Sequence, residues 1–470
     1  MRPCITILSF SVAVLAQAPD NTIWATNFAG TIKSVSKIDP RGEVLTSVTL
    51  GTLTPFGLAV DASGSLWAGS NGTAIGKADV TGTITNTFPV GSFPQSVALD
   101  MNGYVWVANR SSNSVMKLDS AGALQTTVPL PAGTAPIGVV VDALNQIWVS
   151  GFHSSTSTTH TLTVLDTAGT VLNTFSYAST TAAFGFSFPA ADPVGNIWVA
   201  NQAQSALLQV SQTGSVVSTT PITTGLPRGC AVDGLGYVWL ANQGFAGNCM
   251  KIDGTGTVVA TFLPPSTSFT TVSIDGNGDP WVFGFSSGKA IKLWQVDATP
   301  LVTVPLPAGG SAWGGDSGAF HLARVLNGAA DFDTDGFPNA IEIGAGTNPF
   351  ETRSTPAAPL PIQSGIANNG STIEFTFRLR PDANLGYIAA ASLGNVPTLL
   401  PDSRTLPLSI PVVLLTLGQL DANGDARTSL ALPANPGLAG VTFYVSYVTL
   451  DPAASLGVRT ISNEIAVTLR

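Results

Sequence analysis

The densest concentration of chemistry in the chain is Asp331-Phe332-Asp333-Thr334-Asp335-Gly336-Phe337-Pro338-Asn339-Ala340-Ile341-Glu342. Counted from Asp331, carboxylates fall at positions 1, 3, 5 and 12, with Gly at 6 and Asn at 9. Hard oxygen ligands on a tight loop suit calcium. Asp331, Asp333 and Asp335 would gather on one side, Gly336 permits the bend, and Phe337 offers its carbonyl. Asn339 stands at the ninth position, and Glu342, on the first turn of a helix, closes the shell with two oxygens. The alternative is an acidic, solvated linker. The imidazoles are His153, His160 and His321. His153 and His160 read as one long Ser/Thr-rich loop, where they are either solvated or act as metal ligands or a general base.

Those four carboxylates stand out because only 10% of the 470 residues are charged, against roughly a quarter in ordinary domains. A disordered acidic tail protein is excluded. A net charge of −9 with 19 Lys and Arg disfavours nucleic acid, whose binding depends on cationic side chains. The 49 Gly and 32 Pro are spread among Val, Ile, Thr and Trp, a turn-rich β composition. The apolar run Ile5 to Ala18 is shorter than the about 20 residues of a spanning helix. It follows Arg2 and ends in small residues, so residues 1–18 are expected to be a secretory signal cleaved after Ala16 or Ala18; the alternative is a buried first helix. The protein is therefore expected to be secreted (extracellular, periplasmic or cell-surface), without a membrane span, and monomeric. In an oxidising compartment Cys230 and Cys249 are the only candidates for a disulfide in the mature chain.

The elements that position these groups repeat. From residue 20 to about 324, an apolar run ending in Asp leads through a short turn to a run carrying Trp. The pairs are Asp61 with Trp67, Asp100 with Trp106, Asp142 with Trp148, Asp192 with Trp198, Asp233 with Trp239 and Asp275 with Trp281, and Trp24 opens the series. Successive Trp residues are 43, 39, 42, 50, 41 and 42 apart. Short strands at periods near 40 mark a β-propeller. Four strands, A to D from the inside out, fit each unit, with Asp closing the A-to-B turn and Trp filling the wedge between blades. The first unit lacks strand A, and Gly310–Asp316 supplies it from the far end. Seven blades result, with six or eight as alternatives because Ala319–Arg324 reads as a further strand.

Segments such as Pro136-Ile137-Gly138-Val139-Val140-Val141-Asp142 and Gly195-Asn196-Ile197-Trp198-Val199-Ala200-Asn201 resemble the streptogramin (virginiamycin B) lyase and NHL-repeat propellers over about 300 residues. That resemblance implies the fold, and for the lyases a His acting with a divalent metal and a nearby carboxylate. No His here matches a lyase catalytic motif, so no catalytic residue is carried over. The acidic loop has EF-hand spacing, and its continuation Gly344-Ala345-Gly346-Thr347-Asn348-Pro349 resembles thrombospondin type 3-like calcium repeats.

The expected organisation is a propeller over residues 19–324, a calcium loop over 325–352, a linker over 353–365 and a β-sandwich over 366–470, all-β throughout. Loops leading into strand A and loops joining B to C share one propeller face. There the sequence places Phe56, Gln95, Ile137, Arg228 and Trp313, together with Phe28, Arg110, Phe152, His153, Phe245 and Phe285. Asn27, Asn109, Asn201 and Asn242 follow three residues after their Trp. Aromatic faces, amides and two Arg suit a glycan, another small molecule or a protein; alternatively the Asn close turns and the Phe pack between loops. Cys230 and Cys249 bridge if the Asn242–Asn248 loop folds inward, and remain thiols if strand B keeps them apart. The leading expectation is a non-enzymatic recognition or scaffold protein. The alternative is a lyase-like enzyme performing metal-dependent C–O elimination.

Overall fold

The structure is a computed structural model describing residues 21–470 apart from 29–32, 180–181, 183, 245–246, 265–267, 286, 308–311, 313–314, 317–332, 334, 350 and 352. The signal segment, Phe245, Trp313, Ala319–Arg324 with His321, and Asp331 lie outside the described residues.

Alternating apolar runs cut by Gly and Asn turns can only meander, and each repeat forms one antiparallel sheet. Blade 3 shows the plan, with strands A to D at Pro94–Leu99, Val105–Asn109, Ser114–Leu118 and Leu124–Pro129. Seven such four-stranded sheets are present among the described residues. In blade 1, strands B to D are Ile23–Asn27, Ser34–Ile38 and Val44–Thr49, and strand A is Gly315–Asp316 from the far end of the ring. Trp24 pairs with Asp316 and Ala25 with Gly315. This antiparallel closure removes a free edge and holds the ring together.

Burial falls outward. Strand B is buried throughout in blades such as 1, 3 and 5, while outer strands such as Val44–Thr49 and Val171–Ala178 face solvent. The seven repeat Trp are all essentially inaccessible. A buried indole N–H needs an acceptor. In blades 2 to 7 it donates to Oδ2 of the Asp six residues earlier, at 2.8–3.2 Å. The other oxygen of the same Asp accepts the amides two and four residues on, as Asp100 does from Asn102 and Tyr104. One carboxylate thus closes the turn and satisfies the inter-blade Trp.

Beyond the propeller, the helix Asn339–Ala345 leads into a two-sheet domain. One sheet joins Ile362–Ser364, Thr372–Arg378 and Asp425–Ala431. The other runs Val413–Gln419, Gly386–Ser392, Thr442–Leu450, with Val458–Ile461 and Ile465–Thr468 both pairing with Thr442–Leu450. Ile373, Phe375, Phe377, Tyr387, Val445 and Tyr447 form their common core. The segment read as a linker is not free chain. It contains the strand Ile362–Ser364, and Arg353 at its start pairs with Glu464 at 2.7 Å.

This domain docks on the A-to-B turn side of the ring. Arg378 bridges Asp279 of blade 7 (3.0 Å) and Asp425 of its own domain (2.5 Å), while Lys292 holds Asp275 (2.9 Å) and Asp279 (3.1 Å). All five groups are fully buried. Burial opposes the Lys292 charge, but the two carboxylates outweigh it and raise the ammonium above its usual range. Gln295 bonds Asp425, Arg427 bonds Thr299, and Arg470 pairs with Glu43 of blade 1. These contacts all lie away from the opposite face of the propeller. No described helix is long and apolar enough to cross a membrane.

Candidate functional site

On that opposite face, strand A begins with a bulge in several blades. The register skips between Pro55 and Leu58, Pro94 and Ser96, Pro136 and Gly138, and Pro227 and Gly229. The skipped positions include Phe56, Gln95, Ile137 and Arg228. A bulge leaves its extra residue unpaired and re-aims the side chain, which is why these strand-A starts differ in type while the strands below them repeat. Gly57 is required at one of them, because a Cβ there would lie 2.6 Å from the Gln95 carbonyl oxygen.

The aromatic residues meet in a belt. Phe28 lies 5.5 Å from Phe285 and 5.4 Å from Phe56, and Phe56 lies 5.3 Å from Phe93, between ring centroids. The belt continues through cations. The Arg110 guanidinium sits 5.7 Å from the Phe93 ring centre and 5.0 Å from that of Phe152, and Arg228 lies 5.6 Å from Phe152 and 5.9 Å from Phe188. Phe152 also stacks on Phe184 at 4.6 Å. Arg110 is half-buried, and its guanidinium has no carboxylate partner among the described residues. Burial, and then the charge of Arg110, push Arg228 down to about 10. Gln95, next to Phe93 and Pro94 in the chain, is fully buried, and neither amide atom is hydrogen-bonded among the described residues. Phe93 and Phe188 were not singled out in the sequence. Their signal is an aromatic residue directly before a Pro that opens or precedes strand A.

His153 lies beside this belt, half-buried, with Nε2 3.0 Å from Thr161 Oγ1. His160 is not in the same loop, as the sequence was read. It sits on strand C of blade 4, Thr159–Leu165, because Thr159 onward pairs with Tyr177 and its neighbours. It is fully buried, its ring 5.8 Å from that of His153, and neither ring nitrogen has a hydrogen-bond partner among the described residues. Burial lowers both imidazoles, and for His153 the neighbouring His160 adds to it.

The Asn residues are not brought to the mouth surface. Asn109, Asn201 and Asn242 are buried and bond Ser114, Gln204 and Asn248 within their own B-to-C connections. Cys230 and Cys249 are separate buried thiols. Cys230 packs with Trp198 and Leu240, and Cys249 with Trp239 and Phe269, so the two point to opposite faces of one sheet with strand B between them.

At the joint, carboxylate oxygens of Asp333, Asp335 and Glu342 lie within 4.8 Å of one another, with Glu342 fully buried. Gly336 takes φ +99°, the left-handed turn that lets the loop double back. Asp335 Oδ1 accepts the Phe337 amide at 2.8 Å, and its buried Oδ2 has no hydrogen bond among the described residues. Asn339 and Glu342 are on the helix Asn339–Ala345, whose Ile343 packs into the core of blades 6 and 7.

Ring, closure and strand order define a seven-bladed β-propeller. The model of the virginiamycin B lyase family matches residues 6–158, a stretch that takes in blades 1 to 3 and the first strands of blade 4. Among solved structures, hydrazine synthase of Kuenenia stuttgartiensis is similar at 16% identity and TM-score 0.52, over 60% of this chain and 94% of that chain. Virginiamycin B lyase from Staphylococcus aureus is similar at 16% identity and TM-score 0.47, over 54% of this chain and 84% of that chain. The WD40 β-propeller domain of Doa1 is similar at 15% identity and TM-score 0.47, over 57% and 86%. No curated protein matches in sequence. The likeness to hydrazine synthase, at TM-score 0.52, speaks to fold alone.

Proposed function

We propose that this chain is a secreted recognition protein whose propeller mouth binds an acidic extracellular glycan, above a calcium-stiffened joint. The observation that carries this reading is Arg110, a half-buried guanidinium lying near the faces of Phe93 and Phe152 without a carboxylate partner among the described residues. A uronic carboxylate would complete it, and the sugar's C–H faces suit the Phe28, Phe56 and Phe285 rings. The test is titration with uronic-acid oligosaccharides. Arg110→Gln should weaken binding roughly ten- to a hundredfold; equal affinity for neutral oligosaccharides, or an unaffected variant, refutes it.

The calcium reading rests on the three converging carboxylates, which repel one another unless a cation or protons intervene. Asp333, Asp335 and Glu342, with the Phe337 carbonyl and Asn339, would supply the oxygen-rich shell that calcium takes, and the spacing of the sequence adds Asp331 as a further candidate ligand. Calorimetric titration at extracellular calcium levels should show one site, removed by Asp333→Ala. No heat of binding sinks the idea.

A second reading, lyase-like elimination, is favoured by the His153–His160 pair beside the belt and by the family match over residues 6–158. Magnesium-dependent cleavage of a streptogramin, abolished by His153→Ala, would replace the binding-only reading.

A further inference from the structure

The two-sheet domain leaves one edge open. Val413–Gln419 is the last strand of its sheet, paired with Gly386–Ser392 on one side only. Natural edge strands are guarded by charges, by Pro or by a covering segment. This one has Pro411 just before it and a bulge opposite Ala389 and Ala390, but no charged residue between Thr405 and Leu420 or between Leu385 and Pro401. Ile410, Val413, Leu414 and Leu417, with Leu393 and Val396 beside them, are each more than half exposed. Under them a groove of about 520 Å³ opens between the sheets, lined by Leu430, Leu432, Val441, Phe443 and other apolar groups.

We propose that this edge is a homodimer interface in which Val413–Gln419 pairs antiparallel with the same strand of a second copy across a two-fold axis. Three features select that occupant. An unpaired strand edge offers backbone donors and acceptors that an aliphatic small molecule cannot use but another strand can. An uncharged strand opposite its own two-fold copy sets apolar against apolar, with no like charges to meet, as an isologous contact requires. The six large apolar side chains, each more than half exposed and bordering one groove, make a contiguous patch of the kind that marks a protein interface. The docking contacts with the propeller run through Arg378, Asp425, Arg427 and Arg470, so they leave this edge accessible. The proposal departs from the monomer expected from the sequence.

Sedimentation velocity of the full chain at tens of micromolar should give twice the chain mass, since homodimer interfaces of standard size reach micromolar affinity or better. The double variant Leu414→Lys/Leu417→Lys should sediment as a monomer with the native near-ultraviolet signal of its Trp residues. Leu226→Lys, an exposed propeller position, should remain dimeric. Hydrogen exchange on the unaltered chain provides a test that no substitution can confound: amides of Val413–Leu417 should become protected as concentration rises. A monomer at tens of micromolar overturns the proposal. So does a dimer that the double variant leaves intact, or a monomer co-purifying with an aliphatic molecule in the groove by native mass spectrometry.

Discussion

Asp142→Ala separates a structural carboxylate from a functional one. Asp142 is fully buried and accepts four hydrogen bonds: from Leu144 N at 2.9 Å, and from Gln146 N, Trp148 Nε1 and Gln212 Nε2 at 2.8 Å each. Removing it strands the indole N–H of a Trp with no solvent access, which costs about 1–3 kcal/mol. The two turn amides lie nearer solvent and can take up water, so their loss resembles that of a helix cap, about 1 kcal/mol. The total is about 3 kcal/mol. At about 2 °C per kcal/mol for a fold of this size, melting should fall by about 6 °C. Asp119 closes a C-to-D turn with the Ala121 and Ala123 amides at 3.0 and 2.8 Å, but binds no Trp and lies at the surface. Asp119→Ala should therefore cost about 1 kcal/mol, or about 2 °C. Differential scanning calorimetry, with Trp fluorescence reporting exposure of Trp148, measures both. Equal losses for the two variants, or an Asp142→Ala protein melting with the wild type, would refute the claim that the Trp bond dominates.

Arg378→Met leaves Asp279 and Asp425 buried beside one cation fewer. The two-sheet domain should lose about 3–5 kcal/mol of its docking and stability, seen as a separate, lower calorimetric transition; an unchanged thermogram would count against the buried network. For pH, burial depresses the imidazole pKa of His160, so below the ordinary value of about 6.5 the unfolded chain binds more protons than the folded one. Stability should accordingly fall as pH drops through that window, and His160→Leu should flatten the slope of melting temperature against pH. Burial pushes the Cys230 thiol up to about 12 and raises Cys249 as well. Neither should react with a thiol reagent until the protein unfolds, and intact mass should not change on reduction.

Most of the fold was legible in the chain because it repeats. A turn Asp, a Trp six residues on and a Gly or Asn between them are local chemistry, and local chemistry repeated every 40 or so residues leaves a closed ring as the natural way to bury every Trp. The missing first strand A and its counterpart at Gly310–Asp316 could be read for the same reason, since an incomplete unit is visible against complete ones. The spacing of six also held the Asp-to-Trp bond, although only the turn was read from it. The candidate mouth was legible by position: Phe28, Arg110, Phe152 and Phe285 each follow their Trp by four residues at the end of strand B, and Phe56 and Arg228 stand at the start of strand A.

Tertiary structure decided what side chains do once there. Asn109, Asn201 and Asn242 share sequence offsets with mouth residues, yet they turn inward to bond their own loops. The bulges that carry Gln95 and Arg228 depend on pairing partners a dozen or more residues away. Cys230 and Cys249 face opposite sides of one sheet because the β-strand period of two assigns their faces, which proximity in a blade does not. The docking of the last domain through Arg378, Lys292, Asp275 and Asp279 joins residues about 100 positions apart. Composition and spacing record which groups a chain has and how far apart they lie along it. Which of them share a buried volume is set by long-range packing, and charge, pKa and binding follow from that volume.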